Sequence, residues 1–423
     1  MAQNIIRSLK GTRDFYPEEM AVHQWLKDVL VDVSESFGYQ AYEGPYLEKL
    51  DLYAAKSGEE LVKEQAFCFE DRGGDFITLR PELTPTLARM VAQKQRQMNQ
   101  PLRWYSFGPF WRYERPQRGR TREFFQWNID QLGVDSPDAD AEMISICAAF
   151  FKKVGLESDT AKIKVNHRGL MDEQFVKIGI VEEQKKGVLR LIDRKDKMKP
   201  EAWEKYAQDL ELSKDQVSAL LEILGNHDLW KESAELTRVF AVLDATGWTE
   251  YVEYDPGIIR GLDYYTGTVF EAVDIKGGGR AILGGGHYDN LVGDVGGDPM
   301  PGVGFAMGDV MISIILNDYD LVPELGTMSD TVMVTIFDED LALESFRLAK
   351  KLRDAGIKTS VYPESVKLMK QFKYADRMGI GFALVIGPDE LTKQQVAIKN
   401  LKTRDQVSVE SKKLVEELHK LLA

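Results

Sequence analysis

Apolar residues first fall at helical spacing at Val22, Leu26, Val29, Leu30, Val33 and Phe37, which predicts a one-sided helix entered at Pro17 and stopped at Gly38. Residues 40–46 (QAYEGPY) then read as a strand, and Pro45 confines it to a sheet edge or an interface. Its aromatics suit a partner chain and an ordinary core equally well. Residues 67–79 predict a hairpin turning at Gly73-Gly74. Thr84 and Pro85 are the expected N-cap and first residue of a helix whose apolar side carries Leu87, Met90 and Val91. Alternation of period two is clearest after that. Glu123, Phe125, Trp127, Ile129 and Gln131 share one face of a strand, and Phe124, Gln126, Asn128 and Asp130 share the other. A helix over 138–151 and a strand over 161–166 follow. Residues 170–243 turn helical, rich in Lys and Glu, and most of that charge reads as a solvated face. Strand character returns at Asp255, with glycine clusters at 277–279 and 284–286, and leads to PGVGFAMGDVMISIIL, a strand feeding a buried helix in which Met307 and Met311 read as core. Residues 318–330 form a linker, and beyond it strands and helices alternate as in a small helix-covered sheet.

Charge changes this picture at one place. The 423-residue chain carries 54 Lys and Arg against 68 Asp and Glu, a net charge of −14, which argues against broad, nonspecific coating of nucleic acid. Yet Arg112, Arg115, Arg118, Arg120 and Arg122 crowd one loop without a lysine. Arginine alone suggests planar, bidentate recognition of phosphate or carboxylate; a charged hairpin tip is the plainer alternative. The loop joins two strands whose faces offer Arg112 with Glu114, and Phe124 followed by polar residues. That combination suits a flat base and a polar ligand, although a water-facing sheet looks similar. Glu82 sits in a strand-to-helix bend, where it holds an amino group or is simply solvated. The glycine clusters lack the order of a P-loop or a dinucleotide fingerprint. Cys68 and Cys147 give neither a disulfide framework nor a zinc set, which fits a reducing cytoplasm. No run is apolar enough to span a membrane, and the first residues lack the apolar core of a secretory signal. The five histidines are not paired at metal-ligand spacing, so no metal held by protein side chains alone is expected. Lys367, Lys370 and Lys373 make one helix side basic, a solvated face or an RNA contact.

These motifs together resemble those of the histidyl-tRNA synthetases, a family of class II aminoacyl-tRNA synthetases, over nearly the full length. The carrying segments are GTRDFYP, LRPELT at 79–84, GPFWRYERPQRGR with FFQ at 108–126, RGLDYYTGTVFE at 260–271, GGHYDNLVG at 285–293 and the C-terminal YPESVKLMKQFKYADRMGIGFALVIGPDEL. The resemblance implies an α+β fold. It has an antiparallel six-stranded catalytic sheet with flanking helices, a helical insertion and a C-terminal α/β anticodon-binding domain. The implied boundaries are 1–169 and 251–322 for the two catalytic parts, 170–250 for the insertion and 328–423 for the last domain. A homodimer built partly on the Pro45 region is also implied. So are two steps: activation of L-histidine with Mg2+-bound ATP to histidyl-adenylate, then transfer to tRNA(His).

The same resemblance assigns residues. Arg112 and Arg260 are the implied catalytic pair around the α-phosphate. Glu82, Thr84, Arg112, Gln126, Asp130, Arg260, Tyr264, Tyr265 and Tyr288 are implied to bind histidine. Arg112, Glu114, Arg120 and Phe124 are implied to bind ATP, and Arg115, Gln117 and Arg118 to meet the tRNA acceptor end. Two positions depart from the family pattern: Met311 stands where arginine is usual, and His287 replaces the arginine of GGRYD. Both changes are expected to weaken the ATP site, with Arg120, Arg122 or Arg280 as replacements. A catalytically silent relative, such as the regulatory subunit of ATP phosphoribosyltransferase, shares the implied fold and is the alternative reading.

Overall fold

The computed structural model describes residues 5–54, 65–259, 265–326 and 328–422. They divide into two compact units. One holds the chain up to Asp14 with Trp25–Pro323; the other holds Phe15–Gln24 with the chain from Glu324 onward.

The first unit is organised by its strands. In chain order these are β1 (Gln40–Ala41), β2 (Leu47–Lys49), β3 (Phe67–Glu70), β4 (Phe76–Leu79), β5 (Leu102–Trp111), β6 (Glu123–Leu132), β7 (Ala161–His167), β8 (Val252–Tyr254), β9 (Thr268–Asp274), β10 (Arg280–Tyr288) and β11 (Gly302–Gly308). Among the described residues, eight of them form one sheet in the order β1-β5-β6-β11-β10-β9-β7-β8. The six from β5 to β7 are antiparallel neighbours, as expected. Two short parallel strands extend the edges: β1, the start of the edge strand expected over 40–46, and β8, which the sequence pattern did not suggest. Strands β2, β4 and β3 make a separate small sheet. Its hairpin turns where expected, with the Asp71 side chain accepting from Gly73 and Asp75 and with Gly74 in the left-handed region at φ +89°.

The alternation of β6 is realised. Trp127 and Ile129 are fully buried among Phe150, Phe151, Phe270 and Phe305, under the helix Pro137–Lys153. Trp127 meets Phe305 edge-on at 4.8 Å and donates its indole N–H to Ser34 at 3.1 Å. Asn128 and Asp130 therefore face the opposite side. There the helix Thr84–Lys94 packs through Leu87, Ala88 and Val91 against Tyr265 and Tyr288. Thr84 is the first residue of that helix and not its side-chain cap: Leu83 precedes it and no side chain caps it. Gly38 ends the first long helix in the left-handed region, φ +80°.

The charged stretch expected as one insertion over 170–250 splits in two. Helices Arg168–Lys177, Glu182–Asp193, Pro200–Asp209 and Lys214–Gly225 enclose their own core around Phe175, Leu191, Trp203 and Leu220. Helix Ala234–Ala245 instead sinks Leu236, Val239 and Leu243 into the core of the main sheet. Composition hid the change because both parts carry similar solvated outer faces.

The second unit contains β12 (Val332–Val334), β13 (Thr359–Val361), β14 (Phe382–Val385), β15 (Gln395–Asn400) and β16 (Gln406–Glu410), in the order β13-β12-β14-β15-β16. Leu348 and Leu352 from helix Ala342–Asp354 and Leu414 and Leu418 from the last helix cover it. Gln371 is buried and knits its helix to the chain after β12, accepting from Ile336 N at 2.9 Å and donating back to Ile336 O at 2.7 Å. Lys367, Lys370 and Lys373 are exposed.

Candidate active site

The arginine loop is braced from both sides. Arg112 N donates to Arg122 O at its base (2.9 Å), and Gln117 and Arg120 bridge at its tip, with Gly119 left-handed at φ +83°. The GTR segment near the start of the chain lies against that base: Gly11 O accepts from Arg122 N at 2.7 Å and from Glu123 N at 3.2 Å. Arg13 reaches Asp309, at the start of helix Asp309–Asp318, at 2.8 Å. The other oxygen of Asp309 accepts from Phe125 N at 2.8 Å, so one buried carboxylate ties three distant segments together.

Beneath the loop lies a cavity of about 170 Å³ lined by Arg112, Glu114, Arg120, Phe124, Gly308 and Met311 among others. Arg112 is held by Nε, which donates to Pro81 O at 2.9 Å, and its guanidinium lies 5.5 Å from the centre of the Phe124 ring. Phe124 in turn stacks on Phe110 at 5.9 Å. The terminal nitrogens of Arg112 bond to none of the described residues, so a fixed positive charge is presented to the cavity. Arg120 is exposed and weakly paired with Glu114 at 3.5 Å. Arg118 is engaged by Asp318 at 2.8 and 3.1 Å. Arg122 lies over Tyr113 at 4.0 Å and donates to Glu114 O, and the exposed Arg280 does not line the cavity. Of the three replacements expected for the missing arginine, only Arg120 is in place.

Met311 adds to an expectation. Met307 is core, and Met311, half-buried, packs against the same core while its outer side also lines the cavity. It presses on the loop so closely that a Cβ on Gly119 would lie 2.3 Å from its methyl group. The other departure is corrected. His287 faces the helix side of the sheet, with Nδ1 2.9 Å from Asp140 and Nε2 3.4 Å from Asp289 and 3.7 Å from Asp135. Burial works to lower the imidazole pKa. The hydrogen bond and charge of Asp140, with Asp289 and Asp135, outweigh it and hold the value above the ordinary one. His287 therefore belongs to the helix packing, where its carboxylate neighbours favour the protonated ring, and it takes no place among the cavity residues.

The next residue, Tyr288, points the opposite way and donates to Asp130 at 2.9 Å. Asp130 is buried, and that burial raises its pKa to about 7 although the Tyr288 bond pulls downward. Glycines make the room. A Cβ on Gly304 would meet Asp130 at 2.2 Å, one on Gly302 would meet Tyr288 at 2.7 Å, and one on Gly286 would meet Tyr265 at 2.8 Å. Gln126, half-buried, lies on the Asp130 side of β6 by parity. Glu82 is 8% exposed and half-buried Thr84 is beside it. Glu82 lies in the bend one residue beyond the Pro81 carbonyl that holds Arg112, and Thr84 opens the helix that follows.

Sequence reasoning missed what supports that bend. Arg80 is fully buried between the rings of Tyr46 and Phe110, at 4.6 and 4.5 Å. It donates to Pro109 O and Gly44 O and pairs with Glu43. Its position in LRPELT was the available signal. Tyr53 adds a hydroxyl bonded to Thr86 at 3.2 Å and to Glu82 O at 3.3 Å. Of the expected site residues, Arg260 and Tyr264 lie outside the described residues. Arg115 and Gln117 are exposed on the loop with Arg118.

Known proteins resemble the chain over nearly its whole length. A family profile described as histidyl-tRNA synthetase matches residues 11–310, and one described as anticodon binding domain matches 331–421. The chain is 38% identical over 410 residues to the chloroplastic/mitochondrial histidine–tRNA ligase of Arabidopsis thaliana, covering 95% of this chain and 84% of that one. It is 36% identical over 430 residues to the histidine–tRNA ligase of Leptospira biflexa, covering 97% and 98%. The crystal structure of histidyl-tRNA synthetase from Nostoc sp. PCC 7120 superposes with a TM-score of 0.84 at 25% identity, over 99% of this chain and 100% of that one.

Proposed function

Since the chain belongs to the histidyl-tRNA synthetase family, a ligase family that joins histidine to its tRNA with ATP, we propose how its residues divide that work. Phe124 and Glu114 hold adenine, and Arg112 holds the α-phosphate together with the histidine carboxylate. Arg120 takes the outer phosphates, because Arg118 and Arg122 are otherwise engaged and Met311 supplies no charge. Magnesium enters with the phosphates as part of the substrate. Glu82 and Thr84 receive the α-amino group; Gln126, Asp130, Tyr264, Tyr265 and Tyr288 enclose the side chain.

Reaction follows from position. A carboxylate oxygen of histidine attacks the α-phosphorus in line, the bond to the β-phosphate oxygen breaks, and pyrophosphate leaves. Arg112 on one side and Arg260 on the other stabilise the charge that develops, and each such contact is worth about 10²–10³ in rate. The second step moves histidine to the terminal ribose of the tRNA. Arg115, Gln117 and Arg118 meet the acceptor end, and residues 328–423 read the anticodon.

One observation carries the reading: a cavity whose fixed cation, Arg112, is anchored on the Pro81 carbonyl beside Glu82. The test is histidine-dependent ATP–pyrophosphate exchange by the purified protein. Exchange that ignores added histidine would overturn the assignment. The silent relative is disfavoured because the matched relatives are ligases along nearly their whole length.

Two further readings go with it. The exposed Tyr46, Leu47, Phe69 and Phe76 around the small sheet suit burial against a second copy, a homodimer that sedimentation would detect. Cys68 is exposed and Cys147 buried, both free, which suits a cytoplasmic location. Among the described residues no helix is long and apolar enough to cross a membrane.

A further inference from the structure

Arg80 carries its charge where charge is costly, in a side chain that is fully buried. It stands in a column of rings and guanidinium groups that ends at the cavity. Its guanidinium lies 4.6 Å from the centre of the Tyr46 ring and 4.5 Å from that of Phe110. Phe110 stacks on Phe124 at 5.9 Å, and Phe124 meets the guanidinium of Arg112 at 5.5 Å. Among the described residues, neither Phe110 nor Phe124 joins the hydrophobic clusters on the two faces of the sheet, and Phe124 lines the cavity. The column therefore serves the cavity more than the core.

The backbone gives a second route between the same two arginines. Arg80 Nε donates to Pro109 O at 3.0 Å, Nη1 donates to Gly44 O at 3.2 Å, and both Nη atoms reach Glu43. The Arg80 carbonyl accepts from Trp111 N at 3.1 Å, and the carbonyl of the next residue, Pro81, is the one that anchors Arg112. Arg80 thus fastens the bend that holds Arg112 to the end of β5, the strand from which Arg112 emerges. Gly108 makes room for this, since a Cβ there would lie 2.4 Å from Nη2 of Arg80. A planar fork stacked on rings meets all these demands at once, whereas a lysine ammonium keeps only the charge. We propose that Arg80 is a positioning residue for the activation step. It sets the guanidinium of Arg112 at the α-phosphate through the Pro81 carbonyl and through the Phe110–Phe124 stack, and it touches no substrate itself. This rests on the role of Arg112 proposed above.

Arg80→Lys, Arg112→Ala and the double variant, all in the full chain, test it by pyrophosphate exchange, with circular dichroism recording the fold. Arg80→Lys lowers kcat about 10–10²-fold, more than it raises the KM for histidine or ATP. In the Arg112→Ala background the same substitution changes kcat by less than about twofold, since the group it positions is gone. Losses that multiply in the double variant mark a residue that only supports the fold, and they overturn the proposal. A folded Arg80→Lys with unchanged kcat overturns it as well. If Arg80→Lys does not fold, Gly108→Ala takes its place, displacing the guanidinium while keeping Arg80, and is read against Arg112→Ala by the same rule. If neither folds, Arg80 is a residue of the fold alone and the proposal falls. No histidine-dependent exchange by the unsubstituted protein removes the role of Arg112 and this inference with it.

Discussion

His287 and Tyr288 are neighbours on one strand, and each meets a buried aspartate, yet the two pairs have opposite characters. On the helix side, His287 brings an imidazole whose protonated form Asp140 favours, and two more carboxylates surround it. On the other side, Tyr288 brings only a neutral O–H to Asp130, which has no ion pair among the described residues and titrates near 7. A carboxylate balanced within the fold secures packing. A buried carboxylate left without an ion pair is a candidate for a ligand. The sheet thus separates a structural face from a working face within a single residue step.

Removing the two cations proposed to flank the α-phosphate has the largest expected effect. Arg112→Ala and Arg260→Ala each slow exchange about 10²–10³-fold while the protein stays folded. Near-normal exchange in Arg260→Ala would remove it from the charge-stabilising role. Asp130→Asn comes next: kcat/KM for histidine falls about 10²-fold with little change in the KM for ATP. If the loss were in stability and not in histidine KM, the two faces would be alike after all.

Titration separates the faces by pH window. Asp130 is raised from the carboxylate range to about 7, so the folded state holds its proton more tightly. The stability it confers is complete below pH ~4 and is lost as pH climbs to about 7. Histidine binding runs the other way and tightens through about 7, as the ionised acceptor forms. His287 is raised from the ordinary imidazole value, so its contribution is complete below pH ~6.5 and disappears above it, through its folded pKa. Unfolding followed from pH 4 to 9 shows the upper fall vanish in His287→Gln and the lower fall vanish in Asp130→Asn. The smallest effect belongs to Arg118→Ala. Its ion pair is exposed and contributes less than about 1 kcal/mol to stability. Exchange is unchanged, and only the KM for tRNA in the charging assay rises, by about threefold to tenfold.

Much of this was legible in the residues themselves. Strand β6 alternates a large apolar face with a polar one, so Trp127 and Asp130 could be assigned to opposite sides from parity alone. The arginine loop stood out against an acidic chain. Strand β10 gave no such guide. Three glycines in succession precede His287, and without side chains there is no alternation to say which way the imidazole turns. Arg80 was hidden differently. Its partners lie on segments joined to it only in three dimensions. Met311 showed only part of its role, because a methionine on an apolar helix satisfies the core pattern whether or not its outer side lines a cavity.

The contact between Arg13 and Asp309 spans 296 residues of chain. During synthesis the GTR segment emerges early. Its partner Arg122 appears about a hundred residues later, and Asp309 only when three quarters of the chain is complete. At ~5–20 residues per second the completed arginine loop waits roughly 10–40 s for its last brace. A nascent chain interrupted before residue 309 carries every arginine of the loop and lacks the carboxylate that ties the segment to β6. The last brace of the arginine loop is therefore made only in the late part of translation.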